Sequence, residues 1–286
     1  MIERKRGVFM SRTHAFVICA YKESPYLEFC MRSLRKQTVK SDVYLVTSTP
    51  SAYIDKLAET YRIPVFVREG ASSLKEDWLF GWRLAGADHS LVTIAHQDDK
   101  YNPHYTEELL KAYEQYPDMT VFCSDYVVMK TEEGLLSDGK VYPGTTRTVC
   151  FDLVRLVKKV LRIPLRLRSL ADQTWVKKLP LMFGNSICCP SCTYNHDFIG
   201  DDMFKSDMQF ALDWDNLYEL AMKPGRFICS ETPLLAYRVH DGATTKQCIV
   251  DDRRSKDEFA MFRKMWPEWI VTILMRYYKK AYENYE

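Results

Sequence analysis

The sequence predicts an α/β fold in which a mostly parallel central sheet is flanked by helices and followed by a helical C-terminal extension. The main observation is that short apolar runs typical of strands alternate with helical patterns through the first half of the chain. A second observation is the apolar run from Leu91, which ends on the adjacent carboxylates Asp98 and Asp99. A third is a stripe of aromatic and aliphatic residues at helical spacing after Asp251. The 286 residues are enough for one large α/β domain or two small ones.

Each predicted element rests on the spacing of its apolar side chains. Compact apolar runs predict strands at Ala15–Cys19, Val43–Val46, Pro64–Val67, Leu91–Asp98 and Val121–Met129. Apolar residues three and four apart predict helices at Pro25–Leu34, Ile54–Tyr61, Leu74–Ala85 and Tyr105–Tyr113. In the second half, the same patterns predict strands at Ile187–Thr193, Phe227–Cys229 and Leu234–Val239 and a helix at Phe210–Met222. The regular alternation of strand and helix therefore ends near Met129.

Composition excludes several classes of protein. The formal net charge of +2 carries no overall nucleic-acid-binding signature, so we expect no nucleic acid partner. No apolar run reaches the roughly 20 residues of a membrane helix, and no apolar segment of signal-peptide length follows Met1–Arg6. These features predict a cytosolic protein, and the nine scattered cysteines suit buried thiols better than disulfides. Since Gly-x-Gly-x-x-Gly and Walker lysine loops are absent, dinucleotide and P-loop sites are excluded.

The carboxylates at Asp98 and Asp99 indicate a site for a cation and a phosphate. Two adjacent carboxylates repel each other, so burying either one requires a compensating partner. Mg²⁺ and Mn²⁺ prefer oxygen ligands, and Mg²⁺ is commonly held by one or two carboxylates together with substrate phosphates. Ligands of open α/β sheets gather at the carboxyl ends of the strands, where the pattern places this pair. The alternative is that both residues lie in a solvated turn, because Asp is a common turn former.

Two later segments have patterns with more than one interpretation. The segment 147–168 is basic and amphipathic and is interrupted at Pro164, which suits an anionic membrane face, a phosphate-rich acceptor or an ordinary solvated helix face. The aromatic stripe from Phe259 to Leu274 suits core packing, and membrane contact by the last turns stays open.

A zinc site at Cys188, Cys189, Cys192 and His196 is not expected, because the second half of a paired Cys-x-x-Cys motif is missing.

Four segments, in order, resemble the family 2 glycosyltransferases, which have the glycosyltransferase A fold. They are Val17–Glu23, His96–Asp99, Leu212–Asp215, and Tyr237–His240 with Thr244 and Thr245. The first resembles the family's first strand and turn, and the second occupies the place of its Asp-x-Asp metal motif. The third resembles the helix start with the catalytic base, and the fourth the late Tyr-Arg-x-His segment. The resemblance extends over about residues 14–245 and implies a glycosyltransferase A type fold.

The resemblance implies an inverting transfer of a sugar from a nucleotide-diphosphate sugar, with the roles of individual residues as follows. Asp213 would be the general base, although with Asp215 it could instead only complement a helix dipole. A divalent Mn²⁺ or Mg²⁺ would lie at Asp98, Asp99 and His240. His240 could contact the diphosphate as well as the metal, or it could be a helix-capping histidine that only stabilises the last strand turn. The implied nucleotide-sugar contacts are Ala20, Tyr21, Glu23, Ser48, Lys75, His96 and Gln97.

Three departures from the family pattern bear on nucleotide and metal binding. The segment Val46–Thr49 stands where the family often has an acidic pair that binds the uracil base, and hydroxyls accept hydrogen bonds less strongly than carboxylates. His96 replaces the first Asp of the metal motif, which removes one charge. Lys75, with Asp77 and Trp78, falls where the family often has Arg-Asn, so it contacts phosphate or merely solvates its helix.

The resemblance also predicts the organisation of the chain and its partners. Residues 1–130 would form the nucleotide-sugar-binding half, 131–250 the acceptor-binding and catalytic half, and 251–286 the helical extension. The expected partners are a nucleotide-sugar donor, in the first place a UDP-sugar, and a glycan or lipid-linked acceptor for polysaccharide or glycolipid synthesis. The expected location is the cytoplasm, with peripheral contact to the inner membrane face through 147–168 or the C-terminal helix. The alternatives are a catalytically silent nucleotide-sugar binding protein and a metal-dependent phosphohydrolase.

Overall fold

The computed structural model describes residues 13–130, 133–135, 141–143, 147–149, 153–240 and 253–283. The strands are β1 (His14–Ala20), β2 (Asp42–Thr47), β3 (Val65–Val67), β4 (Leu91–His96), β5 (Lys100–Tyr101), β6 (Met119–Lys130), β7 (Glu133–Leu135), β8 (Val141–Pro143), β9 (Arg147–Val149), β10 (Thr193–Asn195) and β11 (Arg226–Val239). The helices are α1 (Leu27–Arg35), α2 (Ala52–Tyr61), α3 (Leu74–Gly86), α4 (Tyr105–Gln115), α5 (Leu153–Arg162), α6 (Thr174–Lys178), α7 (His196–Ile199), α8 (Leu212–Ala221), α9 (Arg253–Met265) and α10 (Glu268–Glu283).

The main sheet has a parallel half and a mixed half. Its strand order is β3-β2-β1-β4-β10-β6-β11-β5, with β9 paired to β6. β1 pairs in parallel with both β2 and β4, and its side chains are buried almost throughout, as expected of a strand covered on both faces. The short β10 is antiparallel to β4 and β6, whereas β6 and β11 run parallel to each other. The carboxyl ends of β1, β2 and β4 therefore meet at one edge of the sheet.

Helices cover both faces of the sheet and create two apolar layers. One layer includes Trp82 of α3, Trp214 of α8 and Phe262 of α9. The other contains residues of α1, α2 and α4, among them Tyr105, which packs edge-on against Phe122. α3 approaches the sheet closely at Gly81, where a Cβ atom would lie 2.5 Å from Val17 Cγ1. A side chain at position 81 would push α3 away from β1.

Most predicted elements are present, and the differences have physical reasons. The predicted strand at Ile187–Thr193 is wrong: Cys189–Ser191 forms a 3₁₀ turn, and only Thr193–Asn195 joins the sheet. Pro190 lacks an N–H for the ladder, which favours the turn. β4 ends at His96, two residues before the predicted strand end at Asp98, and Asp98 and Asp99 lie in the turn that follows it. The two short strands predicted at Phe227–Cys229 and Leu234–Val239 are one strand with irregular pairing between Ser230 and Leu235.

The C-terminal extension is helical, as predicted, but its aromatic stripe is divided. Phe262 is buried in the core, whereas Trp269 and Ile273 are exposed on α10. The seven cysteines in the described part of the chain are free thiols, and Cys150 and Cys248 lie outside it. Across the described ranges, no helix combines the length and the apolar character that a bilayer crossing would need.

Candidate active site

The turn after β1 is fixed by a side chain from the turn after β4. Gln97 Oε1 accepts a hydrogen bond from the Tyr21 backbone N–H at 3.1 Å, and Gln97 Nε2 donates to the Tyr21 carbonyl at 3.1 Å. Lys22 has a φ of 54°, a left-handed conformation that costs a non-glycine residue energy. Its N–H donates to Thr49 Oγ1 at 2.7 Å. The turns after β1, β2 and β4 are thus tied together beside Ala20, Tyr21 and Glu23.

An acidic side chain reaches the end of β2 from a neighbouring helix. Ser48 Oγ lies 2.9 Å from Asp77 Oδ2 and 3.0 Å from Ser72 Oγ. Asp77, in the first turn of α3, is only 8% exposed, and its Oδ1 accepts from Arg68 Nε at 2.6 Å. The segment after β2 contains no acidic residue of its own, but the Asp77 carboxylate from α3 lies beside it. Sequence reasoning noted Asp77 only as a neighbour of Lys75, and the sequence contains no signal that pairs it with Ser48.

Lys75 is engaged away from the strand ends. Its Nζ lies 2.7 Å from Asp207 Oδ1 and donates to the Lys205 carbonyl at 3.1 Å. These contacts join α3 to the loop that precedes α8. The predicted phosphate contact of Lys75 stays a prediction, and the structure gives this lysine another ion-pair partner.

Asp98 lies in a network that favours its charged form. Its Oδ1 accepts from Ser24 Oγ at 2.9 Å, and its Oδ2 lies 3.2 Å from His240 Nε2. Burial alone would raise the pKa of Asp98, but His240 and the Ser24 hydrogen bond outweigh burial and hold the pKa below its ordinary value. The His240 ring packs on Tyr26, with 4.9 Å between ring centroids. Asp98 and His240 are thus brought together from the ends of β4 and β11.

Asp99 has a different position from its neighbour. It is 2% exposed, and its Oδ1 accepts from the Arg238 backbone N–H at 2.8 Å. Burial raises its pKa well above the ordinary value, and the nearby charge of Asp98 raises it further. Arg238 Nε in turn donates to the Asp98 carbonyl at 2.9 Å. These bonds anchor β11 to the turn after β4, while the metal contact predicted for Asp99 stays a prediction.

His96 is a neutral side chain in the wall of the site. Burial lowers its pKa to about 4, so its ring is uncharged at neutral pH. The ring packs against Trp78 with 5.3 Å between centroids, and its Nε2 lies 3.7 Å from Cys189 Sγ. His96 therefore offers hydrogen bonding without charge where the family pattern has an Asp.

Asp213 occupies the first turn of α8 and is the second acid of the site. Its Oδ2 accepts from Asn185 Nδ2 at 2.8 Å. Burial raises the pKa of Asp213 to about 6, even though the Asn185 hydrogen bond and the charge of Lys158 act in the opposite direction. A carboxylate with a pKa near neutrality at the start of a helix is suited to accept a proton. Asn185 and Lys158 are site residues that sequence reasoning missed.

Cys189 connects the two acidic parts of the site. Burial raises the pKa of its thiol well above the ordinary value, and the charges of Asp213 and Asp99 raise it further. These two acids are therefore both near a cysteine whose Sγ is 3.7 Å from His96 Nε2. The turn Cys189–Ser191, which replaces the predicted strand, thus lies between the β4 end and the α8 start.

The donor set at Asp98 and His240 fits a divalent cation. His240 Nε2 is buried and has no well-directed hydrogen bond among the described residues, although a carboxylate oxygen lies 3.2 Å away. Carboxylate and imidazole together suit Mn²⁺. The ranges that the structure describes contain no group of three His, Cys, Asp or Glu side chains placed to hold a metal, so substrate oxygens would have to complete the coordination. Thr244 and Thr245 lie outside the described residues.

The model of the family described as "Glycosyl transferase family 2" matches residues 15–171. This chain belongs to glycosyl transferase family 2. The matched range includes the β4 end with Asp98, whereas Asp213 and His240 lie beyond it. No curated protein matches the sequence.

Several solved structures have a fold similar to that of this chain. S. aureus TarS, residues 1–349, has 12% identity and a TM-score of 0.53 over 87% of this chain and 64% of its own. The mannosyltransferase PcManGT from Pyrobaculum calidifontis, in complex with GDP-Man and Mn²⁺, has 14% identity and a TM-score of 0.55 over 89% of this chain and 64% of its own. This chain thus spans about 64% of the length of either structure. At these identities the likeness shows the fold alone, and the predicted glycosyltransferase A type fold is confirmed.

Proposed function

We propose that the protein is an inverting glycosyltransferase that moves a sugar from a nucleotide-diphosphate sugar to a hydroxyl of a glycan or lipid-linked acceptor. The observation that carries the proposal is the pair of acids with opposite pKa shifts, Asp98 lowered and Asp213 raised to about 6. Acid and base roles in one site commonly depend on carboxylates whose environments separate their pKa values. Family membership supports the reaction class.

The donor nucleotide would bind across the turns after β1 and β2. Ser48 and the Asp77 carboxylate offer hydrogen-bond acceptors for a ring N–H of a nucleobase, a donor that both uracil and guanine have. Tyr21, held by Gln97, offers an exposed ring for stacking beside them. We propose UDP as the nucleotide and GDP as the alternative, which agrees with the UDP-GlcNAc complex of TarS and the GDP-Man complex of PcManGT.

Asp98 and His240 would hold a divalent cation against the diphosphate. When bound, a divalent cation there supplies positive charge that stabilises the departing diphosphate. Ser24 fixes one oxygen of Asp98, and Tyr26 fixes the His240 ring, so both ligands are oriented before substrate arrives. Asp99 would act as a positioning residue, because its bond to Arg238 holds β11 and therefore His240 in place.

Asp213 would accept the proton of the acceptor hydroxyl. At neutral pH a carboxyl group with a pKa of about 6 is mostly ionised, yet it binds a proton more strongly than an ordinary aspartate. The Asn185 hydrogen bond would hold Oδ2 and so fix the orientation of the carboxylate toward the acceptor. Attack from the face opposite the diphosphate would invert the anomeric configuration. We place this reaction in the cytoplasm, at the inner membrane face.

A ligand screen followed by a turnover assay tests the proposal. Because a ligand that binds only the native state raises the melting temperature, UDP or GDP with Mn²⁺ should stabilise the protein more than either component alone. Nucleotide-sugar turnover that depends on an added acceptor would support transfer. Nucleotide binding without turnover for any acceptor would indicate a silent binding protein. Donor hydrolysis at the same rate with and without acceptor would indicate a phosphohydrolase.

A further inference from the structure

α5 buries a cation and exposes apolar side chains, the reverse of an ordinary surface helix. Arg162 is 2% exposed, pairs with Asp125 Oδ1 at 2.7 Å and donates to the Ser186 carbonyl. By contrast, the four apolar residues Leu156, Val157, Val160 and Ile163 are 45–52% exposed. The ion pair accounts for the buried arginine. Nothing in the described part of the fold covers the apolar side.

The exposed apolar residues form a continuous stripe that passes from α5 into the 3₁₀ turn that follows. We define the α5 stripe as Leu156, Val157, Val160, Ile163 and Leu167. Leu156 and Val160 are four apart on α5 and share one helix face, and the exposed Ile163 and Leu167 stand at the start and just after the end of the 3₁₀ turn that follows. Isolated exposed apolar residues are common, but a contiguous group of this kind marks an interaction surface.

The charge around the α5 stripe is net positive. The segment 153–178 contains eight basic residues and one acid, Asp172, and of the basic residues Arg162 and Lys177 are buried and do not contribute to the surface. Lys159, on α5, is half exposed and lies 3.4 Å from Asp125. Arg166 pairs with the exposed Glu231 at 3.3 Å, and Arg168 donates to Gln115 at 2.8 Å. The two acids that pair with these cations, Asp125 and Glu231, are fewer than the basic residues of the segment.

We infer that the α5 stripe is a docking surface for an anionic lipid bilayer, with its apolar side chains at the headgroup boundary and its basic residues beside lipid phosphates. An apolar face bordered by Lys and Arg is the pattern of interfacial membrane helices. The excess of positive charge favours an anionic bilayer over a second copy of this chain, which would bring two basic rims together. The opposite side of α5 carries Lys158, whose charge acts on Asp213. Docking would therefore bring the candidate site close to lipid-linked acceptors. This consequence rests on the proposed function, whereas the binding of α5 to lipid does not depend on it.

Vesicle sedimentation tests this surface directly. The full chain should bind vesicles of equal parts phosphatidylglycerol and phosphatidylcholine, and should bind pure phosphatidylcholine vesicles weakly. The triple variant Leu156→Gln, Val160→Gln, Ile163→Gln should lose at least about tenfold in affinity, because it removes apolar contact area. The single variant Lys159→Gln should weaken binding by a few fold and reduce its salt dependence. Since these side chains are exposed, melting temperatures should stay close to that of the unmodified protein.

A matched control lies on α10, another helix with exposed apolar side chains. The double variant Trp269→Gln, Ile273→Gln on α10 removes comparably exposed apolar side chains and should bind anionic vesicles like the unmodified chain. Wild-type affinity in the folded triple variant, or lost binding in the α10 variant alone, would overturn the inference. A wild-type dimer that the triple variant converts to monomer in light scattering would instead assign the stripe to a second copy. Transfer to a water-soluble acceptor, measured on the same proteins, reports the proposed function separately, so either proposal can fail alone.

Discussion

The two ends of the candidate site contain the same type of acid in opposite electrostatic environments. At the end of β4, Asp98 receives a hydrogen bond from Ser24 and lies beside His240, and its pKa is held below the ordinary value. At the start of α8, Asp213 has a neutral amide, Asn185, as its side-chain hydrogen-bond donor, and burial raises its pKa to about 6. Burial raises the pKa of both acids, but the partners of Asp98 outweigh burial and those of Asp213 do not.

This comparison assigns chemistry that the residue type alone does not. A carboxylate stabilised as an anion is suited to hold a cation and a diphosphate, whereas a carboxyl group that titrates near neutrality is suited to exchange a proton. The same chain supplies both by placing imidazole next to one acid and an amide next to the other. Four predictions test the separation, from the largest expected effect to the smallest.

Replacing the acid at the α8 start should have the largest effect. Asp213→Asn should lower kcat for transfer by about 10³-fold, the usual size of a general-base contribution, because an amide accepts no proton. The Kd for the nucleoside diphosphate should stay unchanged, since the Asp98 end is intact. Steady-state kinetics and calorimetric titration measure the two quantities. Transfer at the wild-type rate would show that Asp213 is not the base.

Replacing the acid at the β4 end should affect the cation instead. Asp98→Asn should lower kcat/KM by about 10²-fold and abolish the strengthening of nucleoside diphosphate binding by Mn²⁺. Asp99→Asn is the matched control, because the substituted amide retains a carbonyl oxygen for the Arg238 N–H. Titrations with and without Mn²⁺ measure both variants. If Asp99→Asn lost the Mn²⁺ effect as completely as Asp98→Asn, Asp99 would belong to the metal ligands.

The pH profile should follow the acid with the raised pKa. Because the base acts when deprotonated, kcat/KM should rise with pH through about 6 and level off above it. Asn185→Leu removes a hydrogen bond that stabilises the Asp213 anion, so the rising limb should move upward by about one pH unit. Rates measured between acidic and mildly basic pH in one mixed buffer test this shift. If the rising part of the pH profile is unchanged in Asn185→Leu, it does not reflect the titration of Asp213.

The smallest effect should be on stability. Between the ordinary pKa of an aspartate and about 6, folded Asp213 binds a proton that the unfolded chain does not, so the free energy of unfolding falls as pH rises through this window. Asp213→Asn removes this penalty and should raise the free energy of unfolding by roughly 1 kcal/mol above the window, a figure reduced for partial exposure, with no gain below it. Urea denaturation at the two pH extremes measures the difference. Equal stability changes at both extremes would contradict it.

The parallel half of the sheet was predictable because its signals are local. Apolar runs such as Ala15–Cys19, followed by helical spacing from Leu27, are confirmed as β1 and α1 with small shifts at their ends. The antiparallel insertion of β10 was missed, because Pro190 diverts the preceding apolar residues into a turn. The sequence predicted only part of the arrangement of α5. Its amphipathic pattern was evident, but the burial of Arg162 depends on Asp125 from a distant strand.

The sequence by itself determined the family 2 fold, the order of most strands and helices, and the chain positions of the two acids of the candidate site. These properties depend on the spacing of apolar residues and on residue types, and both can be read directly from a sequence. Only the tertiary structure decided which groups surround those acids, as with Asp77 beside Ser48, His240 beside Asp98 and Asn185 beside Asp213. Electrostatic shifts depend on distance and burial, and both arise only when elements far apart in the chain pack together.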